Sequence, residues 1–329
     1  MAVAAKLLSK MRLPVIGAPL FIVSNPNLVV AQCTSGIVGS FPALNARNPD
    51  RTPALDEWLV EIKSRLAEHD ASNERKSAPF AVNQIVHRSN DRLLKDMETI
   101  VKHKVPLVIT SLGAREDVNE AVHSYGGIVM HDVTNNFHAK KAIAKGADGL
   151  IAVAAGAGGH AGTISPFALM QEIRDWFDGP VALSGSISTG GSVLACQAAG
   201  ADFAYMGSQW IATAEANATD DYKHAIVDAA DASQIVYSSY FTGVKGNYLR
   251  KSIELQGLDP DNMPASSSDG STTDFGSGGD KPAAKAWKDI WGCGQGVGTI
   301  KDVPTCAEAV DRLAAEYATA WKSLQGRCG

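Results

Sequence analysis

Eight short runs rich in Val, Ile, Leu or Ala punctuate the first two thirds of the chain, at residues 15–18, 37–40, 80–83, 107–111, 128–132, 149–154, 181–184 and 203–207. Each ends in small or polar residues and is followed by a helical spacing. The runs are continuously apolar rather than alternating, which suits strands buried on both faces of a parallel sheet wrapped by helices. Between them, Leu55, Leu59, Ile62 and Leu66 form one stripe of a helix over 56–69, opened by Thr52 and Pro53. Ser165 and Pro166 read as an N-cap and first helical residue ahead of Phe167, Met170, Ile173 and Phe177. Successive runs lie roughly 27 residues apart, near the ~31 per unit of a ~250-residue eightfold barrel. The expected α/β architecture is therefore a (β/α)8 barrel. A doubly wound sheet is the alternative, because periodicity does not show closure.

After Ile211 the pattern changes. Residues 215–240 read as helical and 240–249 as mixed, whereas 259–281 is rich in Ser, Gly, Asp and Pro with almost no large apolar residue, as in a flexible surface loop. A last helix over 305–324 places Ala309, Leu313, Tyr317 and Leu324 in rough register. The expected organisation is a barrel over 1–214, a smaller, mainly helical domain over 215–300 carrying that loop, and a C-terminal segment over 301–329 packing back on the barrel.

With 329 residues, 45% of them hydrophobic, the chain can bury one large core or a core and a smaller companion. Its net charge of −5 comes with scattered Lys and Arg, which gives no footprint for nucleic acid or an anionic membrane. Five cysteines, an odd number without CxxC spacing, indicate neither a disulfide framework nor a zinc site. Free thiols, no signal peptide and no apolar run of about 20 residues make a cytoplasmic protein the expectation.

In such a barrel the chemistry sits at the C-terminal strand ends. Those ends hold Gly17, Ala18, Pro19, Asn83, Thr110, Ser111, His131, Asp132, Gly158, Gly159, His160, Ser184, Gly185, Ser186, Gly207 and Ser208. The last two turns, SGSISTGG from Ser184 and MGSQW from Met206, offer bare amides and a helix start to a phosphate. The run AGAGGHAG from Ala155 sets His160 among Gly and Ala only, so no neighbour in sequence shields its ring. A catalytic or substrate-binding role is expected for it. His131, at another strand end, is a candidate cofactor contact, while His69, His87, His103, His123, His138 and His224 read as solvated. The amide of Asn83 suits the donor and acceptor edge of a heterocycle. Trp210, Tyr240 and Phe241 read as core aromatics at a domain junction rather than pocket walls.

Taken together, PVIGAPL from Pro14, FAVN from Phe80, GADGLIAVAAGAGGHAG from Gly146, PVALSGSISTGG from Pro180 and GADFAYMGSQWIAT from Gly200 resemble the nitronate monooxygenase (2-nitropropane dioxygenase) family. The resemblance implies an FMN-dependent barrel enzyme that oxidises alkyl nitronates with molecular oxygen. It implies backbone of Ala18, Pro19 and Leu20 along the flavin ring, Asn83 at its pyrimidine edge, and a place near the flavin for His131. Gly158, Gly159, Ser184, Gly185, Ser186, Gly207 and Ser208 would hold the cofactor's ribityl chain and phosphate, with His160 as the catalytic histidine. Two positions depart from the family pattern: Gly185-Ser186 stands for its Gly-Gly pair, and Gly207-Ser208-Gln209 for its Gly-Thr-Arg. An FMN-dependent NAD(P)H oxidoreductase acting on a quinone or enoyl thioester is the competing reading, mildly disfavoured by the lack of a GxGxxG fingerprint after a strand. A flavin binder without turnover and a flavin-free barrel isomerase stand behind both. Expected partners are a nitronate and O2, and a homodimer is an open expectation.

Overall fold

The computed structural model describes residues 2–50, 52–263 and 287–327. Its strands are β1 (Val15–Gly17), β2 (Gly39–Pro42), β3 (Phe80–Ile85), β4 (Leu107–Ser111), β5 (Ile128–Val133), β6 (Gly149–Val153), β7 (Gly159–His160), β8 (Val181–Ser184), β9 (Phe203–Met206), β10 (Ile235–Ser238) and β11 (Gly246–Leu249). Eight of them form one parallel sheet in the order β1-β9-β8-β6-β5-β4-β3-β2. The ends meet. Gly17 N–H donates to Val38 O at 2.8 Å and Val38 N–H to Val15 O at 3.1 Å, closing the barrel.

Helix α1 (Ala2–Leu8) precedes the barrel, and helices fill its crossovers: α2 (Pro26–Ser35), α3 (Leu55–Ser72), α4 (Leu93–His103), α5 (Glu116–His123), α6 (Asn136–Ala144), α7 (Pro166–Arg174) and α8 (Gly190–Ala198). After the barrel come α9 (Ser208–Ile211), α10 (Asp220–Val227), α11 (Arg250–Leu255) and α12 (Cys306–Arg327). On α3 the buried residues are Leu55, Leu59, Ile62 and Leu66, the stripe read from the sequence. Each such side chain removed from water is worth about 1.5–3 kcal/mol. On α7, Pro166 is the first helical residue, but Leu169 joins Met170 and Ile173 in the core while Phe167 is exposed.

Two apolar layers result from the strand alternation. Ile16, Leu107, Ile109, Met130, Ile151, Phe203 and Tyr205 point into the barrel, where Ala4 and Leu7 of α1 plug the end opposite the strand tips. Val15, Val108, Val129 and Val181 point out to the helices. With one end stoppered by α1, only the C-terminal tips are left open for a site.

Residues 215–240 depart from the helical reading. Helix α10 is followed by a short 3-10 turn at Ala232–Gln234 and then strand β10, where Ile235, Val236 and Tyr237 favour extended backbone. β10 pairs antiparallel with β11, and β11 with β7, giving a three-stranded sheet beside the strand tips. Helix α12 lies against the barrel: Glu316 accepts from Gly190 N–H at 2.7 Å, and Arg12 pairs with Asp311. Of the expected loop at 259–281, residues 264–281 lie outside the described residues. Among the described residues, no helix is long and apolar enough to cross a membrane, no group of three or more His, Cys, Asp or Glu could hold a metal ion, and Cys33, Cys196, Cys293 and Cys306 are free.

Candidate active site

A cavity of about 810 Å³ opens over the strand tips. Ala18, Pro19, Leu20, Asn83, His131, Gly158, Gly159, His160, Ser184, Gly185, Ser186, Gly207 and Ser208 all line it. The parallel register explains the convergence, because strands ending at one level bring six separate turns to one rim.

The floor is polar and closely bonded. Asn83 donates from Nδ2 to Ser111 Oγ at 2.7 Å and to Ile109 O at 3.2 Å, and Ser111 Oγ donates to Asp132 Oδ2. Both amide protons of Asn83 are thus committed, which leaves its carbonyl oxygen as an acceptor. Asp132 Oδ1 is buried without a partner, and burial pushes this carboxyl up to about 7. His131 sits beside it with Nδ1 2.6 Å from Thr110 Oγ1, and burial pushes its ring down to about 4. The sequence placed Asp132 at a strand end but singled out only its neighbour. Alternation along β5 gave no warning that both would reach the cavity.

The cradle at the tips of β8 and β9 is built from backbone. Gly185 has φ +131°, and a Cβ there would come 2.6 Å from Ala155 O, so geometry alone requires glycine. Ser186 follows at φ 58°, a left-handed conformation suited to the second glycine of the family pair and costing about 1–2 kcal/mol for a residue with a Cβ. Gly207 differs: its φ is −116°, and a Cβ would make only ordinary contacts, 3.4 Å to Leu20 Cδ2 and 3.7 Å to Ala18 Cβ. Packing does not demand a glycine there. What a side chain would occupy is cavity, and bare main chain at that spot suits a ligand lying close. Gln209, in place of the family's Arg, is buried and does not line the cavity.

The opposite wall carries His160. It is not in an open loop: β7 pairs Gly159 and His160 with Asn247 and Gly246 of β11. Nor is the ring unshielded, as the sequence around it suggests. Trp287 meets it edge-on at 5.2 Å, and Thr242 Oγ1 lies 3.0 Å from Nε2. Burial pushes this imidazole down to about 4 as well. Gly246 permits the approach, since a Cβ there would lie 2.8 Å from Gly159 O. Sequence reasoning missed Thr242 and Trp287, along with Gly292, Gly294 and Gly296 of the cavity lining. The alternating glycines from Gly292 to Gly298 were a usable signal for the last three; for Thr242 there was none.

Other expectations divide. Trp210 is fully buried and absent from the cavity, as its core reading requires. His103 is buried and 2.7 Å from Asp56 Oδ1 rather than solvated, whereas half-buried His87 and exposed His138 stand at the cavity rim.

A closed (β/α)8 barrel with one cavity over its strand tips, lined by bare main chain, two histidines and an acid, is the architecture of a barrel enzyme. The nitronate monooxygenase profile matches residues 4–316, and the chain belongs to that family. It is similar to a nitronate monooxygenase of Neurospora crassa, 25% identical, over 94% of this chain and 90% of that protein. It is similar to another from Paraburkholderia phytofirmans, 26% identical, over 75% and 76%. A relative from Mycobacterium tuberculosis is 28% identical, and there the match spans only 64% of the relative's length. In fold it is similar to nitroalkane oxidase of Streptomyces ansochromogenes, with a TM-score of 0.76 at 24% identity, over 96% of this chain and 99% of the other.

Proposed function

We propose that this enzyme binds FMN over the strand tips and oxidises alkyl nitronates, such as propionate 3-nitronate, with molecular oxygen to a carbonyl compound and nitrite. One observation carries the reading: a single cavity is bounded by a backbone cradle with a glycine that packing does not require, by a polar floor with an orphaned acid, and by a half-buried imidazole. When bound, the flavin supplies the electron-transfer chemistry, and the protein supplies orientation and electrostatics.

In this reading Ser184, Gly185, Ser186, Gly207 and Ser208, with Gly158 and Gly159, hold the ribityl phosphate, through main-chain amides where the family has an arginine. Ala18, Pro19 and Leu20 lie along the ring, His131 flanks it, and Asn83 meets the pyrimidine edge with its free carbonyl oxygen. His160 is neutral at pH 7, since burial holds it near 4. A neutral imidazole is suited to taking the α-proton of a nitroalkane, which extends the reading from nitronates to their conjugate acids. The raised value of Asp132 serves the same end, because burial favours its neutral form, which repels an anionic nitronate less than a carboxylate would.

The test is anaerobic mixing of the FMN-loaded protein with nitronates, nitroalkanes, NADH and NADPH side by side. Bleaching of the flavin by nitronate, with nitrite released once oxygen is admitted, is the expected result. Bleaching by NADH or NADPH with no response to nitronate would replace this reading with an NAD(P)H-dependent reductase of a quinone or enoyl thioester. Failure of the protein to take up FMN would remove both.

A further inference from the structure

The side chain that holds His160 comes from the segment just before β11. Thr242 Oγ1 stands 3.0 Å from His160 Nε2, and the same oxygen donates to Val244 O at 3.0 Å. A hydroxyl has one proton and two lone pairs. With that proton given to Val244, Oγ1 can face the imidazole only as an acceptor, so the hydrogen between them belongs to Nε2. The rest of the surroundings agree. Val244 N–H donates to Oγ1 at 3.3 Å and together with Nε2–H fills its two lone pairs, so Tyr248 OH, at 3.4 Å and beyond ordinary O–H···O range, packs beside this oxygen without supplying a third donor.

A neutral imidazole carries one N–H, so its lone pair then lies on Nδ1. That nitrogen has no partner among the described residues and is not among the fully buried unpaired polar atoms, on a residue that lines the cavity. Trp287, edge-on to the ring, and Tyr248, 5.7 Å from Trp287, limit the ring's freedom to turn. The hydrogen-bond network around the ring selects its tautomer. From this one we infer that Thr242 is a positioning residue that holds His160 as the Nε2–H tautomer and presents Nδ1 to the cavity as the proton acceptor.

The functional half of this inference rests on the reading of His160 as the base. The step it assigns moves the α-proton of a nitroalkane to Nδ1, leaves the C–H electron pair in the nitronate, and makes an imidazolium whose Nε2–H still bonds to Thr242. Thr242 does not line the cavity. It acts through the ring.

The experiment uses the FMN-loaded protein labelled with 15N-histidine at pH 7, with the His160 signals assigned by their loss in His160→Asn. The expected spectrum gives His160 a pyridine-type Nδ1 and a pyrrole-type Nε2. Thr242→Val should average the two signals and lower kcat for nitroalkanes by about tenfold or more with KM nearly unchanged, and Thr242→Ser should retain both properties. A pyridine-type Nε2 in the unsubstituted protein would overturn the assignment without any variant having to fold, and an unaltered tautomer in Thr242→Val would overturn the role of Thr242. Undiminished nitroalkane turnover in His160→Asn would instead overturn the base role, while the spectrum decides the tautomer separately.

Discussion

His131 and His160 line the same cavity and are both held near 4 by burial, yet the two are secured in opposite ways. His131 lies on β5, and its partner Thr110 is the residue directly across on β4, so the parallel ladder sets the pair. The same ladder sets Asn83, Ser111 and Asp132, which stand on three adjacent strands. His160 lies on the two-residue β7, outside the barrel sheet, and Thr242 reaches it from 82 positions away. One wall of the site is a by-product of barrel closure. The other must be delivered by a separate sheet whose strand β7 also carries Gly159 of the cradle, so the His160 side chain, but not its backbone, can be varied without disturbing the cradle.

The strongest challenge to that division is His160→Asn. Turnover should fall by about 10²–10⁴, the contribution of a positioned acid–base group, while FMN titration returns the same affinity. Loss of flavin binding in this variant would mean the two walls are not separable.

Next in size is the pH response of stability. The histidines, lowered from 6.5, contribute stability that is complete above that value and lost as pH falls toward about 4. Asp132 runs the other way: raised from 3.8, its contribution is present at low pH and lost as pH rises through about 7. The trends oppose each other over one window. In Asp132→Asn only the histidine trend remains, so Tm by calorimetry should drop more steeply between pH 6.5 and 4, and at pH 7–8 the variant should be more stable by on the order of 1–3 kcal/mol. A slope equal to the parent's would show that the folded protein keeps this carboxylate charged.

Gly246→Ala probes the outer sheet alone. Its Cβ would sit 2.8 Å from Gly159 O, so the pairing of β7 with β11 should loosen at a cost of about 1–3 kcal/mol, read as faster amide exchange at 159–160 and slower turnover. Exchange in β8 and β9 should not change. Smallest of all is Phe167→Ser, on an exposed face of α7, expected within about 0.5 kcal/mol by denaturant titration. A larger loss would place Phe167 in an interface the chain alone does not show.

The barrel was legible because each of its strands announces itself over four to six residues, with Leu107–Ser111 and Val181–Ser184 matching the expected runs end to end. The stripe on α3 was legible for the same local reason. Phe167 was misplaced because hydrophobicity alone does not fix which residue of a short helix faces inward; Leu169 took the core position. β10 was misread within a stretch whose polar residues fit a helix, since pairing with β11 outweighs propensity there.

By itself, then, the chain's order of residues determined the eight apolar strands, the glycine turns that bare their tips, and the histidine placed among them, because burial on two faces and turn geometry act between near neighbours. Only the folded molecule decided that Asp132 would be left with an orphaned oxygen, that Trp287 would cover the His160 ring, and that Thr242 would meet its Nε2. Those contacts join segments whose separation along the chain carries no periodic signal, and the energies that fix them, desolvation and a single hydrogen bond, exist only after the segments have met.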